Sequence, residues 1–192
     1  MEAFLVSTVV VGIAEIGDKS LFLAILLTMR YRQPWTIFLG LVTGVTANLT
    51  IAAALGASLA QWLQGDWLAW ALGFTFLAVA VWALVPEKAD DVPDELTRTS
   101  HRSVFFTATA GFFLLEMADK TQVATMALAA SFETVPPVLA GAVLGVTLAN
   151  APAIWLGNRF AARLPMKTLR VVAAALFSLI GAWLLIDAAL MS

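Results

Sequence analysis

The chain has 192 residues, 61% of them hydrophobic and only 12% charged, with a formal charge of −2 and a mean hydropathy of +0.90. A soluble domain carries about a quarter charged residues, so this composition is that of an integral membrane protein, and the small net charge argues against nucleic-acid binding. Cysteine is absent, which removes disulfides, thiolate metal sites and cysteine nucleophiles together.

Six apolar segments are expected to span the membrane, each near the roughly 20 residues a bilayer requires. The first, 3–28, follows Met1-Glu2 with no preceding Lys or Arg, unlike a cleavable signal peptide, so it is read as a mature helix. It contains Glu15-Ile16-Gly17-Asp18-Lys19-Ser20. After Arg30-Tyr31-Arg32-Gln33-Pro34 comes 35–61, with Gly40 and Gly44 one turn apart, then Thr46 and Asn48. Gln64-Gly65-Asp66 separates it from 67–86. Residues 87–102 form a hydrophilic, acidic linker, read as solvated, with ion-dependent regulation as the minor alternative. Segment 103–130 holds Glu116-Met117-Ala118-Asp119-Lys120-Thr121, followed by Gln122. Beyond Pro136-Pro137, 137–159 carries Gly141, Gly145, Thr147, Asn150 and Pro152; the last segment, 168–190, follows Arg163-Leu164-Pro165. Pro152 is expected to kink its helix. Trp35, Trp62, Trp67, Trp82 and Trp155 lie near the expected helix ends, where interfacial rings anchor.

The acidic motif recurs 101 residues on (116 − 15), and the offset persists: Gly40, Gly44, Val45 and Thr46 meet Gly141, Gly145, Val146 and Thr147, and Phe76 and Trp82 meet Phe177 and Trp183. Such a match is an internal duplication, which divides the chain into repeats 1–86 and 103–192 around the linker. Of the eleven Lys and Arg, the nine outside the motifs fall in or beside the connections after the first, third and fifth spans. The positive-inside rule makes that side cytoplasmic, with both termini outside. An odd number of helices per repeat inverts the second copy, an arrangement recurrent in transporters. The expected fold is therefore all-α, six transmembrane helices as two inverted three-helix repeats.

Helical spacing would put Glu15, Asp18 and Lys19 on one helix face, and Glu116, Asp119 and Lys120 likewise. Unpaired at mid-membrane, these six ionised groups would cost together about 15–21 kcal/mol, so they must face one another, water or an ion. Four carboxylates and two ammonium groups sum to −2, which one divalent cation or two protons would neutralise. That is a cation–proton exchanger in outline, with two protons per divalent ion as the expected ratio. All-oxygen ligands favour Mg2+, Ca2+ or Mn2+ over zinc or copper, and His101, the single histidine, lies in the linker. Met117 is read as a packing residue. Local pairs Glu15–Lys19 and Glu116–Lys120 would explain only half of the carboxylates.

The doubled Glu-x-Gly-Asp-(Lys/Arg)-(Ser/Thr) motif resembles the signature of a cation–proton exchanger family that includes Golgi manganese and calcium transporters and small bacterial manganese exporters. The resemblance covers essentially the whole chain and implies Mn2+, Ca2+ or both as substrate. It implies Glu15, Asp18, Glu116 and Asp119 as cation ligands, Lys19 and Lys120 as charge balance, and Ser20 and Thr121 as hydroxyl contributors. Ala118 departs from the motif's glycine, which questions a close backbone approach in the second copy.

Around the motifs, Asn48, Asn150 and Gln122 are candidates for the ion path or for supporting ligands. Gln122, opposite Leu21, would make the half-sites inequivalent. Thr46 and Thr147 are expected to bond their own helix carbonyls, and the paired glycines to pack helices closely. The expected function is Mn2+ export by proton exchange in a prokaryotic inner membrane, with no permanently bound cofactor and a monomer sufficient. A Ca2+/H+ exchanger and a proton-coupled exporter of small organic solutes are the alternatives. An intramembrane aspartyl protease, suggested by Gly17-Asp18, is disfavoured because Glu15 and Ala118 break its Gly-x-Gly-Asp pattern.

Overall fold

A computed structural model describes residues 1–62, 66–87, 92–93, 103–157 and 165–191. Among them run eight helices: α1 (Glu2–Glu15), α2 (Lys19–Tyr31), α3 (Pro34–Trp62), α4 (Asp66–Ala83), α5 (Val104–Leu115), α6 (Lys120–Ser131), α7 (Pro136–Leu156) and α8 (Met166–Met191). Three of these, α3, α7 and α8, are long and apolar enough to cross a membrane; α4 and α5 are shorter apolar helices.

The continuous first and fourth spans expected from sequence are each broken at the acidic motif. After α1, Ile16 is extended and Gly17 takes φ +87°, so the chain leaves the helical path before Asp18 starts α2. After α5, Ala118 takes φ +55° and Asp119 starts α6. Glu15 and Asp18 therefore do not share a helix face. Glu15 ends one half-helix and Asp18 begins the next; Glu116 and Asp119 repeat the pattern. The single-helix expectation failed because i, i+3 and i+4 spacing is blind to one left-handed residue between the charges.

Packing runs across the sequence halves. α1 lies on α7, α3 on α5 and α6, and α4 on α8. The small residues permit this. A Cβ on Gly145 would sit 2.7 Å from the Thr8 carbonyl oxygen and 2.8 Å from the Gly12 nitrogen, and one on Gly40 would meet Phe105 O at 3.1 Å. The close-packing reading of both glycine pairs holds. Trp35 stacks edge-on against Trp155 at 5.2 Å, bringing the start of α3 and the end of α7 to one end of the bundle.

Polarity is inverted relative to a soluble domain. Leu5, Leu39, Ile51, Phe74, Leu148 and Trp183 are exposed, whereas Glu15, Asp18, Asn48, Glu116, Asp119 and Asn150 are buried. An apolar exterior around a charged centre suits hydrocarbon, where the low dielectric obliges polar groups to turn inward.

Candidate functional site

The two breaks meet at the centre of the bundle. The first N–H groups of α2 and α6 carry partial positive charge, and the last carbonyls of α1 and α5 partial negative charge. Asp119 caps α6, its Oδ2 accepting from Thr121 N at 3.2 Å. Asp18 occupies the corresponding position on α2 without a side-chain cap. There the first N–H, that of Lys19, donates instead to Glu87 Oε2 at 2.7 Å.

Hydroxyls and an amide hold the glutamates. Ser20 Oγ donates to Glu15 Oε1, as does Asn150 Nδ2 at 2.9 Å. Thr121 Oγ1 donates to Glu116 Oε2 at 2.7 Å. Ser20 and Thr121 thus each donate a hydroxyl to the glutamate of their own motif.

The ammonium groups pair across the two motifs and not within them. Lys19 Nζ lies 2.9 Å from Asp119 Oδ1, and Lys120 Nζ contacts Asp18 Oδ1. Lys120 also reaches Glu87 Oε1 at 2.8 Å. Each lysine follows its own helix N-cap, so its side chain points toward the facing break, where an unlike charge is available. Among the described residues, neither Glu15–Lys19 nor Glu116–Lys120 forms a pair.

One oxygen of every motif carboxylate is left without a hydrogen bond among the described residues: Glu15 Oε2, Asp18 Oδ2, Glu116 Oε1 and Asp119 Oδ1. For Asp119 Oδ1 the nearby Lys19 ammonium supplies charge without hydrogen-bond geometry. Buried carboxylate oxygens normally find donors, so the orphaned oxygens of Glu15, Asp18 and Glu116 stand out among the described residues. Glu15, Asp18 and Glu116 can each bring an oxygen within 4.8 Å of the others, and Asp18, Glu87 and Asp119 can do the same. Hard divalent ions take such all-oxygen sets.

The sequence profile described as "Divalent cation/proton antiporter GDT1" matches this chain twice, over residues 3–91 and 104–192. The chain belongs to the GDT1 family of divalent cation/proton antiporters. It is 38% identical over 182 residues to the "Putative manganese exporter" of Vibrio cholerae, covering 94% of this chain and 89% of that protein. It is 28% identical to the GDT1-like protein sll0615 of Synechocystis, covering 93% and 94%. Against the divalent cation/proton antiporter GDT1 of Saccharomyces cerevisiae the identity is 22%, covering 92% and 81%. No solved structure matches. This GDT1-family chain is a transporter and not an enzyme, so neither the protease reading of Gly17-Asp18 nor the organic-solute reading describes it.

Further residues support the GDT1 motif unequally. Asn150 bonds Glu15 directly. Asn48 Nδ2 instead donates to the Phe113 carbonyl at 3.0 Å, and its Oδ1 accepts from Gln122 Nε2 at 2.9 Å. Gln122 Oε1 in turn accepts from Ala118 N at 2.8 Å. Gln122 and Asn48 therefore brace the second break, which Leu21 cannot do for the first, so the two breaks are held differently. Thr147 Oγ1 bonds the Val143 carbonyl at 2.6 Å, the local role foreseen for it. Thr46 is half-buried on α3, its carbonyl accepting from Thr50. Met117 points outward and is exposed.

The departure at Ala118 now has a physical meaning. What the position requires is a left-handed backbone, and both Gly17 and Ala118 adopt it. An L-residue in that conformation costs about 1–2 kcal/mol, against about 0.5–1 kcal/mol of extra chain entropy for glycine. Ala118→Gly is expected to stabilise the protein by about 0.5–1 kcal/mol, seen as a higher melting temperature in detergent. Gly17→Ala is expected to do the reverse and more, because its Cβ would meet Met166 Sδ at 2.7 Å.

Glu87 is the site residue the sequence did not reveal. Contrary to a solvated linker, Glu87 ties α2 to α6 and Val92 is buried in the core. Its acidic charge makes the cluster five carboxylates and two ammonium groups, not four and two. The register offset pairs it with Ala188, so the duplication gives no signal. Residues 88–91 and 94–102, with the linker's basic residues and His101, lie outside the described residues, as do Arg159 and Arg163.

Proposed function

We propose that this GDT1-family antiporter exports Mn2+ in exchange for protons, with Glu15, Asp18, Glu116 and Asp119 as the ligands that carry the ion. The observation that carries this reading is the set of Glu15, Asp18 and Glu116, whose carboxylates bring oxygens within 4.8 Å of one another and each leave one oxygen without a hydrogen bond among the described residues. Mn2+ as cargo is further supported by the name of the Vibrio cholerae relative, and an all-oxygen donor set suits it. Lys19 and Lys120 hold the aspartates when the ion has left. Two protons taken up per divalent ion released keep each cycle electroneutral.

The transport cycle uses six spans arranged as two inverted three-helix repeats, 1–86 and 103–192, with residues 87–102 between them. Each broken helix counts as one span, and the repeats supply two related conformations of a shared centre. The clustering of Arg30 and Arg32 with the Trp35–Trp155 end of the bundle supports a cytoplasmic linker and outward-facing termini. The membrane is the inner membrane of a prokaryote, with a lipid bilayer around the apolar surface. One chain contains both motifs, so a monomer suffices.

Purified protein in liposomes with an imposed pH gradient is the test. Mn2+ flux that follows the gradient, without accompanying charge movement, is expected. Gradient-driven Ca2+ movement with none of Mn2+ would replace the cargo. Movement of neither ion in functional liposomes would overturn the reading.

A further inference from the structure

Glu87 lies outside both motifs and has no acidic counterpart in the second copy, where Ala188 stands, yet its carboxylate is inserted between them. We infer that Glu87 is a transport ligand: with Asp18 and Asp119 it forms an outer divalent-cation station on the linker side of the centre, through which the ion passes to or from Glu15 and Glu116. The inference rests on the exchange reading above and deepens it.

Three observations combine. First, Asp18, Glu87 and Asp119 can bring one oxygen each within 4.8 Å of one another, and Glu15, Asp18 and Glu116 form a second such set. Asp18 belongs to both, so an ion can change sets without leaving that carboxylate. Second, Asp18 Oδ2 accepts no hydrogen bond among the described residues although its side chain is fully buried. It is a donor atom still owed a partner. Third, exposure is graded: the Glu87 side chain is 13% exposed, against 0% for Asp18 and 1% for Asp119. A cation arriving from the linker meets Glu87 first.

Lys120 occupies the position between these groups, contacting both Asp18 and Glu87. Its single charge stands in for part of a divalent ion's charge, and a divalent ion that enters displaces it. Hard cations gain by exchanging an ammonium neighbour for direct carboxylate coordination. The structural contribution of Glu87 is separable from its charge. Its Oε2 accepts the Lys19 N–H that opens α2, and a glutamine keeps an oxygen there while losing the negative charge. Because Ala188 stands at the equivalent place in the second copy, the outer station exists on one side only.

The experiment measures proton-driven Mn2+ transport in right-side-out and inside-out membrane vesicles for wild type, Glu87→Gln and Glu87→Asp. Removing a group that tunes a metal site costs about 10–100-fold in affinity. Glu87→Gln is expected to raise the KM for Mn2+ offered at the linker face by that factor, without the same rise at the opposite face. Glu87→Asp is expected to recover part of the loss. An unchanged KM at both faces, or an equal rise at both, would overturn the inference. Absence of wild-type flux would overturn the exchange reading itself, an outcome distinct from a Glu87→Gln variant that transports like wild type.

Discussion

Replacing Glu15 or Glu116 with glutamine is expected to lower proton-driven Mn2+ exchange by more than about 100-fold, beyond what loss of a merely supporting group costs. The change is nearly isosteric, and the hydroxyl and amide donors around each glutamate can still bond a neutral oxygen: Ser20 and Asn150 at Glu15, Thr121 at Glu116. Packing is thus preserved while a ligand charge and a proton-accepting group disappear together. Both positions are fully buried, so no solvent screens the loss. Flux in proteoliposomes measures it, alongside the melting temperature of each variant. A Glu15→Gln or Glu116→Gln protein that exchanges Mn2+ at the wild-type rate would remove that residue from the ion path. Loss of flux in one variant only would mean that the two motifs do unequal work, for which the Gln122 brace on the second break supplies a structural basis.

Lys120→Gln should have the second largest effect, and on stability before transport. Removing one member of a buried ion pair costs about 3–5 kcal/mol, because the partner charge remains uncompensated. Here two partners remain, Asp18 and Glu87. Measured in chelator, Lys120→Gln is expected to melt well below wild type. Mn2+ should reverse much of that deficit, since binding to the folded form stabilises by about 2.7 kcal/mol at 100 times the dissociation constant, and the ion replaces the missing positive charge. The Mn2+-induced rise in melting temperature is therefore expected to be larger for Lys120→Gln than for wild type. Lys19→Gln, whose side chain is 21% exposed and pairs with Asp119, should show the same pattern weakly. An equal Mn2+ response in wild type and Lys120→Gln would separate the lysine from the cation site.

The 101-residue offset made the principal residues legible in the sequence, because two copies of an acidic motif in apolar surroundings have few physical explanations. The partners of those residues were not legible. Local spacing offered Lys19 to Glu15, whereas the folded chain gives it to Asp119, a choice made by tertiary approach of two breaks. The breaks had one sequence signal, Gly17, and Ala118 in the other copy spoke against it; a left-handed alanine braced by a glutamine is too uncommon to expect. Asn48 and Asn150 were visible as polar residues at depth, but their different tasks follow from a one-residue difference in register: the offset pairs Asn48 with Ala149 and Asn150 with Leu49. Glu87 was hidden in plain acidity, one carboxylate among several in a hydrophilic stretch.

The crosswise packing of α1 on α7 and α3 on α5 bears on how the chain is made. Ribosomal synthesis delivers residues in order, so Glu15 and Asp18 reach the bilayer about a hundred residues before Lys120 exists to meet Asp18. The glycine surface of α3 waits for α5, and α1 waits longer still, until the segment starting at Pro136 is inserted. The early helices must therefore reside in the membrane as a provisional assembly, with their acidic groups protonated, hydrated or sheltered by the insertion machinery. Truncated chains ending in the linker should be recognised by quality control as unfinished, since the surfaces that complete them are encoded downstream.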